Sequence, residues 1–380
     1  MAAASVFLVA GARPNFVKVA PVYRALEASA AFDVTLVHTG QHYDERLSES
    51  FFRDLDLPPP DVHLEVGSGS HAQQTARVLE RFEEQLQERQ PDLVIVVGDV
   101  NSTIACSIAA AKMVYPDGRR PRVAHVEAGL RSFDRTMPEE INRLLTDSIS
   151  DYLFITEPSA EENLRREGVP DAKVFFVGNV MIDTLLNQVE RAAALAAWTD
   201  LGLEERQYGV VTLHRPSNVD DAKSLAAILD VLLEAAERLP LVFPVHPRTA
   251  HRLREFGLEQ QASGQGSRLR LLEPLGYLEF LSLLSRARVV LTDSGGIQEE
   301  TTILGIPCIT LRDNTERPVT ITEGTNRLVG TDRTKILAGF EAALAADAGT
   351  AARPRLWDGQ AAGRIVEALE AAFDQTPVGG

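Results

Sequence analysis

The sequence predicts an α/β protein made of two Rossmann-like, doubly wound domains facing a central cleft. Three observations carry this. At 380 residues the chain is long enough for two domains, each with its own core. Short apolar runs rich in Val, Ile and Phe alternate with longer helical patterns. The alternation then pauses near the middle of the chain and restarts.

In the first half the strands are read in "SVFLVA", "DVTLVHTG", "PDLVIVVGD", "RVAHVEAG", "YLFITE" and "KVFFVGN". Their hydrophobicity is continuous rather than alternating, as expected where both faces of a parallel sheet are covered. "NSTIACSIAAAKMVY" starts as a helix after an Asn/Ser cap, and "PEEINRLLTDSISD" opens with Pro and two glutamates, a helix-start signature. After the long Ala-rich helix "NVMIDTLLNQVERAAALAAW" come "YGVVTLHRPSN", "LVFPVHPRT", "RLRLLEPLG", "RVVLTDSGG" and "PCITLRDNTERP". The expected organisation is an N-terminal domain over residues 1–180 and a C-terminal domain over 181–358, with a helix at about 359–375 packing back on the first.

Composition excludes several classes. The hydrophobic share is 44% and the charged share 24%, those of an ordinary globular protein, and no run approaches the ~18 apolar residues of a membrane span. With a net charge of −16 the chain offers no basic footprint for nucleic acid. Cys106 and Cys308 lie in apolar surroundings that suit buried thiols, and a reducing cytoplasm is the simplest location. The apolar start lacks the basic residue of a signal peptide and reads as a first strand.

Unusual polar clusters follow nearly every strand: "GARPN", "TGQHYD", "GDVNST" and "VEAGLRSFDRTMPEE", then "LHRPSN", "HPR", "DSGGIQEE" and "RDNTERP". In open parallel sheets ligands bind at the carboxyl ends of the strands. "DSGG" opening a helix suits a phosphate or diphosphate, with glycines allowing close approach. Arg13, Arg215, Arg248 and Arg317 sit in these clusters, and guanidinium groups complement phosphate oxygens. Glu299 and Glu300 would repel a phosphate, so at least one is expected on a ribose diol, the alternative being complementation of the helix dipole. Asp99, Glu127, Glu139 and Glu140 converge as carboxylates suited to proton chemistry or to stabilising an oxocarbenium ion. His214 and His246 would assist a leaving group or bind the diphosphate. No G-x-G-x-x-G, Walker A or H-E-x-x-H motif is present. His38 and His42 lie on a strand running into a loop rather than on a helix face, so no metal is expected.

Taken in order, "GARPNFVKVAP", "TGQHYD", "GDVNST", "HVEAGLRSFDRTMPEEINR", "TLHRPSNVD", "HPR", "DSGGIQEE" and "RDNTERP" resemble the non-hydrolysing UDP-N-acetylglucosamine 2-epimerases along nearly the whole chain. The resemblance implies a GT-B-like fold and interconversion of UDP-GlcNAc and UDP-ManNAc without a cofactor. It implies a UDP-binding set of Arg13, His246, Ser294, Gly295, Gly296, Glu300 and Arg317, and places Lys18, Asp99, Glu127, Glu139 and His214 in or near catalysis. It further implies a homodimer, a second UDP-GlcNAc as activator near Gln41 and His42, and supply of cell-surface polysaccharide precursors. The segment "SFDRTM" is shorter than in some members, which leaves the sugar's C3 and C6 substituents open. A hydrolysing epimerase, a GT-B glycosyltransferase and a catalytically silent UDP-sugar sensor are the alternatives.

Overall fold

Every strand pairing among the described residues is parallel, and the strands gather into two separate sheets. The structure, a computed structural model, describes residues 3–11, 13–41, 52–262, 264, 267–346 and 353–374. The chain divides into two units, Met1–Thr184 with Arg355–Gly380, and Leu185–Pro354.

The first unit holds β1 (Ala4–Ala10), β2 (Phe32–His38), β3 (Val62–His63), β4 (Leu93–Val97), β5 (Arg122–Ala128), β6 (Tyr152–Ile155) and β7 (Val174–Phe176). They lie in the order β3-β2-β1-β4-β5-β6-β7. The direction of strand addition reverses between β1 and β4, the point at which doubly wound sheets open a crevice. All five residues of β4 are buried, the consequence of helices on both faces. On one face Phe7, Val94 and Val96 pack with Val78, Phe82 and Leu86 of the helix His71–Arg89. That helix starts at Ser70, whose hydroxyl accepts the Gln73 N–H while the Gln73 side chain returns to the Ser70 N–H, a capping box.

The last helix, Ala361–Asp374, belongs to this unit. It buries Ile365 and Leu369, and Trp357 just before it donates Nε1–H to the Thr156 carbonyl. Its first N–H groups, of Ala361 and Ala362, donate to the buried Asp183 carboxylate at 3.1 and 2.7 Å. Gly178 makes the crossing beside it possible. Its φ is +91°, and a Cβ there would lie 2.1 Å from the Leu356 carbonyl oxygen.

The second unit holds β8 (Gly209–Thr212), β9 (Leu241–Pro244), β10 (Leu269–Leu272), β11 (Val289–Thr292), β12 (Cys308–Thr310) and β13 (Asn326–Leu328). Their order is β10-β9-β8-β11-β12-β13, with the reversal between β8 and β11. One continuous core joins Val211, Phe243 and Leu291 of the sheet to Leu225, Leu232, Ile336 and Phe340 of the flanking helices. Cys106 and Cys308 are both buried free thiols. No helix among the described residues is long and apolar enough to cross a membrane.

Candidate active site

In the first unit the chemistry gathers where β4 and β5 end. The turn after β4 passes through Gly98 at φ +70°, and a Cβ there would approach Asn15 Nδ2, Lys18 Nζ and Glu127 Oε2 at 3.3, 3.5 and 3.6 Å. Asp99 follows directly. The pairing of β5 with β6 shifts register between Val126 and Ala128, and Glu127, within that irregularity, has φ +70°. A bulge of this kind re-aims a side chain out of the strand's alternation. Here it brings Glu127 Oε2 to 2.5 Å from Lys18 Nζ, on the helix Arg13–Glu27.

Asp99 is tied down from the helix Pro138–Ile149, whose Arg143 reaches Asp99 Oδ2 at 2.5 Å and Glu140 Oε2 at 2.5 Å. Asn142 donates to the Asp99 carbonyl at 2.8 Å. Glu140 also accepts the Ser132 and Phe133 N–H groups. Burial would raise its carboxyl, but those donors and Arg143 outweigh it and hold Glu140 below the usual carboxylate range. Of the two adjacent glutamates, Glu140 is therefore the anchor, and Glu139 is half-buried in the same helical turn. Gln41 lies in a buried amide network, where its Oε1 accepts from Ser102 at 2.9 Å and its Nε2 donates to Gln74. His42 and the side chain of Arg13 lie outside the described residues.

In the second unit the organising group is Asp293, at the end of β11 and fully buried. Its carboxylate accepts the His214 and Arg215 N–H groups, the Asn218 side chain at 3.1 Å, and His214 Nδ1 at 2.9 Å. Burial opposes ionisation, but His214 and these donors keep the Asp293 carboxyl below its ordinary range. The His214 ring lies 5.5 Å from that of His246. His246 caps the helix Pro247–Glu255 by accepting the Arg248 N–H, and the Arg248 side chain is paired with Asp220.

Ser294 is the N-cap of the helix Gly295–Leu304, with no side-chain cap bond of its own. A Cβ on Gly295 would meet Glu316 Oε1 at 2.6 Å. Glu316 is buried and gathers arginines, with Arg312 at 2.8 Å and Arg215 at 3.7 Å. Although burial works against it, Arg312, Arg317 and Arg215 drive its carboxyl far below the usual range. Arg317 itself pairs with Glu299 at 2.5 Å. Glu300 is enclosed against the Tyr277 hydroxyl at 3.4 Å, and burial, reinforced by the charge of Glu299, raises it to about 8.

The structure thus pairs Lys18 with Glu127 and ties Asp99 to Arg143 in one unit, and brings Arg215, Gly295 and Arg317 close to Glu316 in the other. Sequence reasoning passed over Arg143, Asp147, His125, Asp293 and Glu316. A signal existed for the first two. Glu140, Arg143 and Asp147 are spaced 3 and 4 apart and are all buried, so they mark charges on the core face of an amphipathic helix.

Two parallel doubly wound units place the chain in the GT-B-like class of α/β proteins. The model of the UDP-N-acetylglucosamine 2-epimerase family matches residues 24–370. A UDP-N-acetylglucosamine 2-epimerase from Methanocaldococcus jannaschii is 44% identical over 342 residues, 89% of this chain and 91% of that one. The crystal structure of the enzyme from that organism, in complex with UDP-GlcNAc and UDP, superposes with a TM-score of 0.89 at 41% identity, covering 97% of this chain and 99% of that one. A UDP-2,3-diacetamido-2,3-dideoxy-D-glucuronate 2-epimerase from Pseudomonas aeruginosa is 40% identical over 343 residues, 89% of this chain and 92% of its own. The chain belongs to the UDP-N-acetylglucosamine 2-epimerase family and is an isomerase.

Proposed function

We propose that the protein interconverts UDP-GlcNAc and UDP-ManNAc without hydrolysis, by eliminating UDP to a glycal and adding it back. The observation that carries this reading is the pair of carboxylates Asp99 and Glu127, each fixed by a cation at the ends of adjacent strands, in a chain of this family. The C2 proton of a GlcNAc unit lies next to no carbonyl and is not acidic, so direct deprotonation is too slow. Departure of UDP builds positive charge at C1 and makes C2–H acidic. Return of a proton on the opposite face and re-addition of UDP invert the centre.

Asp99, Glu127 and Glu139 share the base, acid and cation-stabilising roles. Lys18 orients the Glu127 carboxylate through their ion pair. In the second unit Arg215, Ser294, Gly295, Gly296, Arg317 and Glu300 hold UDP, together with Arg13, Arg248 and His246, while His214 aids departure of the diphosphate. Arg215 and Arg317 reach Glu316 and Glu299; a diphosphate offers the same acceptor chemistry as those carboxylates. The reaction calls for neither metal nor nicotinamide. We place it in the cytoplasm of a homodimeric enzyme feeding cell-surface polysaccharide synthesis, with Gln41 and His42 near an activating second UDP-GlcNAc.

A second reading is favoured by the 40% identity to the diacetamido-glucuronate epimerase: the same inversion on a UDP-sugar modified at C3 and C6. One experiment separates the two. Purified protein is incubated in D2O with each UDP-sugar and followed by proton NMR. UDP-ManNAc carrying deuterium at C2 is the expected product; free ManNAc with UDP would instead mean hydrolysis, and turnover of the uronate alone would mean the modified substrate.

A further inference from the structure

Beneath the two carboxylates lies a buried chain of charged groups that the proposed mechanism does not use. His125 on β5 is fully buried, as is Asp147 on the helix Pro138–Ile149. His125 Nδ1 lies 2.6 Å from Asp147 Oδ1, and His125 Nε2 lies 2.8 Å from the Gly98 carbonyl oxygen. The other oxygen of Asp147 accepts the Gly129 N–H at 3.0 Å and faces Arg131 Nη2 at 2.7 Å. Arg131 extends the chain to Glu167 at 2.6 Å.

The positions held are telling. Gly98 immediately precedes Asp99, while His125 and Gly129 bracket Glu127 by two residues on either side. Gly98 and Glu127 both sit in the left-handed region, which glycine adopts freely but which a residue such as Glu127 keeps only if its surroundings over-determine it. A carbonyl only accepts, so His125 Nε2 carries a hydrogen. Asp147 is held below the ordinary carboxylate range by His125 and Arg131 against the burial that would raise it. With Asp147 Oδ1 holding one side of the ring at 2.6 Å and the Gly98 carbonyl on the other, His125 braces the Gly98 turn against the β5 bulge.

We infer that His125, oriented by Asp147, is a positioning residue for the epimerisation proposed above: its Nε2–H bond to the Gly98 carbonyl sets the placement of Asp99 relative to Glu127. The inference rests on that reading of the site. Misplacement of a reacting group by about 1 Å costs on the order of a hundredfold in rate, so the effect belongs in kcat rather than in nucleotide affinity.

The test compares two isosteres in the full chain. The amide of Asn in His125→Asn overlies Nδ1 and keeps the contact with Asp147 but loses the donor to Gly98. That of Gln in His125→Gln overlies Nε2 and keeps the donor. The Asn variant is expected to lose roughly a hundredfold in kcat, with KM and UDP affinity within about twofold of wild type, and the Gln variant to recover about tenfold or more of that loss. Equal activity of the two variants, a loss below about threefold, or a loss carried by KM and UDP affinity overturns the inference. A measurement on the unmodified protein stands behind it: ring 15N shifts should show Nε2 of His125 carrying the hydrogen at the pH of maximal activity. An unprotonated Nε2 there sinks the proposal even if the variants do not fold. Absence of C2 exchange by wild type would count against the epimerase reading instead, while the ring shifts still report on the brace.

Discussion

Glu299 and Glu300 are neighbours in sequence and opposites in chemistry. Glu299 is neutralised by Arg317 at 2.5 Å, whereas Glu300 faces the Tyr277 hydroxyl at 3.4 Å and is raised by burial to about 8. The helix start "DSGGIQEE" therefore places no free pair of charges near its N-terminus. A consequence for stability follows from the sign of the shift. Between the unfolded value near 4.5 and the folded value near 8, the native state binds the proton that the unfolded chain has released. Stability from this group is full below about 4.5 and is lost as pH rises through about 8. Glu300→Gln should remove that slope, so the variant gains on wild type in urea midpoint between pH 5 and pH 8, by an amount on the order of a few kcal/mol. A constant difference across that range would mean Glu300 is ionised in the native protein. Asp99 supplies a second prediction at this scale. Asp99→Asn keeps size but cannot exchange a proton or balance Arg143, so kcat should fall at least about a hundredfold. UDP affinity, measured by calorimetry, should stay unchanged because the groups assigned to UDP lie elsewhere in the chain.

At the scale of elements, glycine geometry gives the sharpest expectation. Gly178 combines φ +91° with a Cβ position 2.1 Å from the Leu356 carbonyl oxygen, a backbone atom that cannot swing away. Gly178→Ala should destabilise the fold by at least about 3 kcal/mol, seen as a lowered denaturation midpoint; a change below about 1 kcal/mol would show that the 355–374 segment shifts freely. Much at this scale was legible in the sequence. The apolar runs that flank each polar cluster became strands because fully covered parallel strands leave an unbroken hydrophobic signature. The two strands that escaped, β3 ("VH") and β13 ("NRL"), are short and carry polar residues in place of an apolar run, and they pair along the edges that β2 and β12 offer. The site was legible as far as the motifs at strand ends reach. Its supports, Arg143, His125, Asp147 and Glu316, were hidden. Their partners lie between 3 and 101 residues away in sequence, and sequence alone does not show which buried charges meet.

For the whole molecule, the division of the chain has unequal consequences for its two units. The second is continuous from Leu185 to Pro354, and its core cluster, Val211 through Ala343, comes entirely from that stretch. The first is completed only by residues beyond Arg355: Trp357, Ile365 and Leu369 are buried in it, and Asp183 caps the helix that carries two of them. Burying such side chains contributes roughly 1.5–3 kcal/mol each, so the three together amount to about 5–9 kcal/mol, the size of a typical domain's entire net stability. The Asp183 carboxyl, raised to about 6 by burial, would in addition lose the two N–H donors that stabilise its charge. A fragment spanning 185–354 should therefore fold alone, with a cooperative urea transition and dispersed amide NMR signals. A fragment ending at 184 should not, until a peptide covering 355–380 is supplied, when its circular dichroism should become native-like and its amides protected from exchange. Cooperative folding of 1–184 without that peptide would show that the last helix decorates a finished core, and the destabilisation expected for Gly178→Ala would then have to arise from local strain alone.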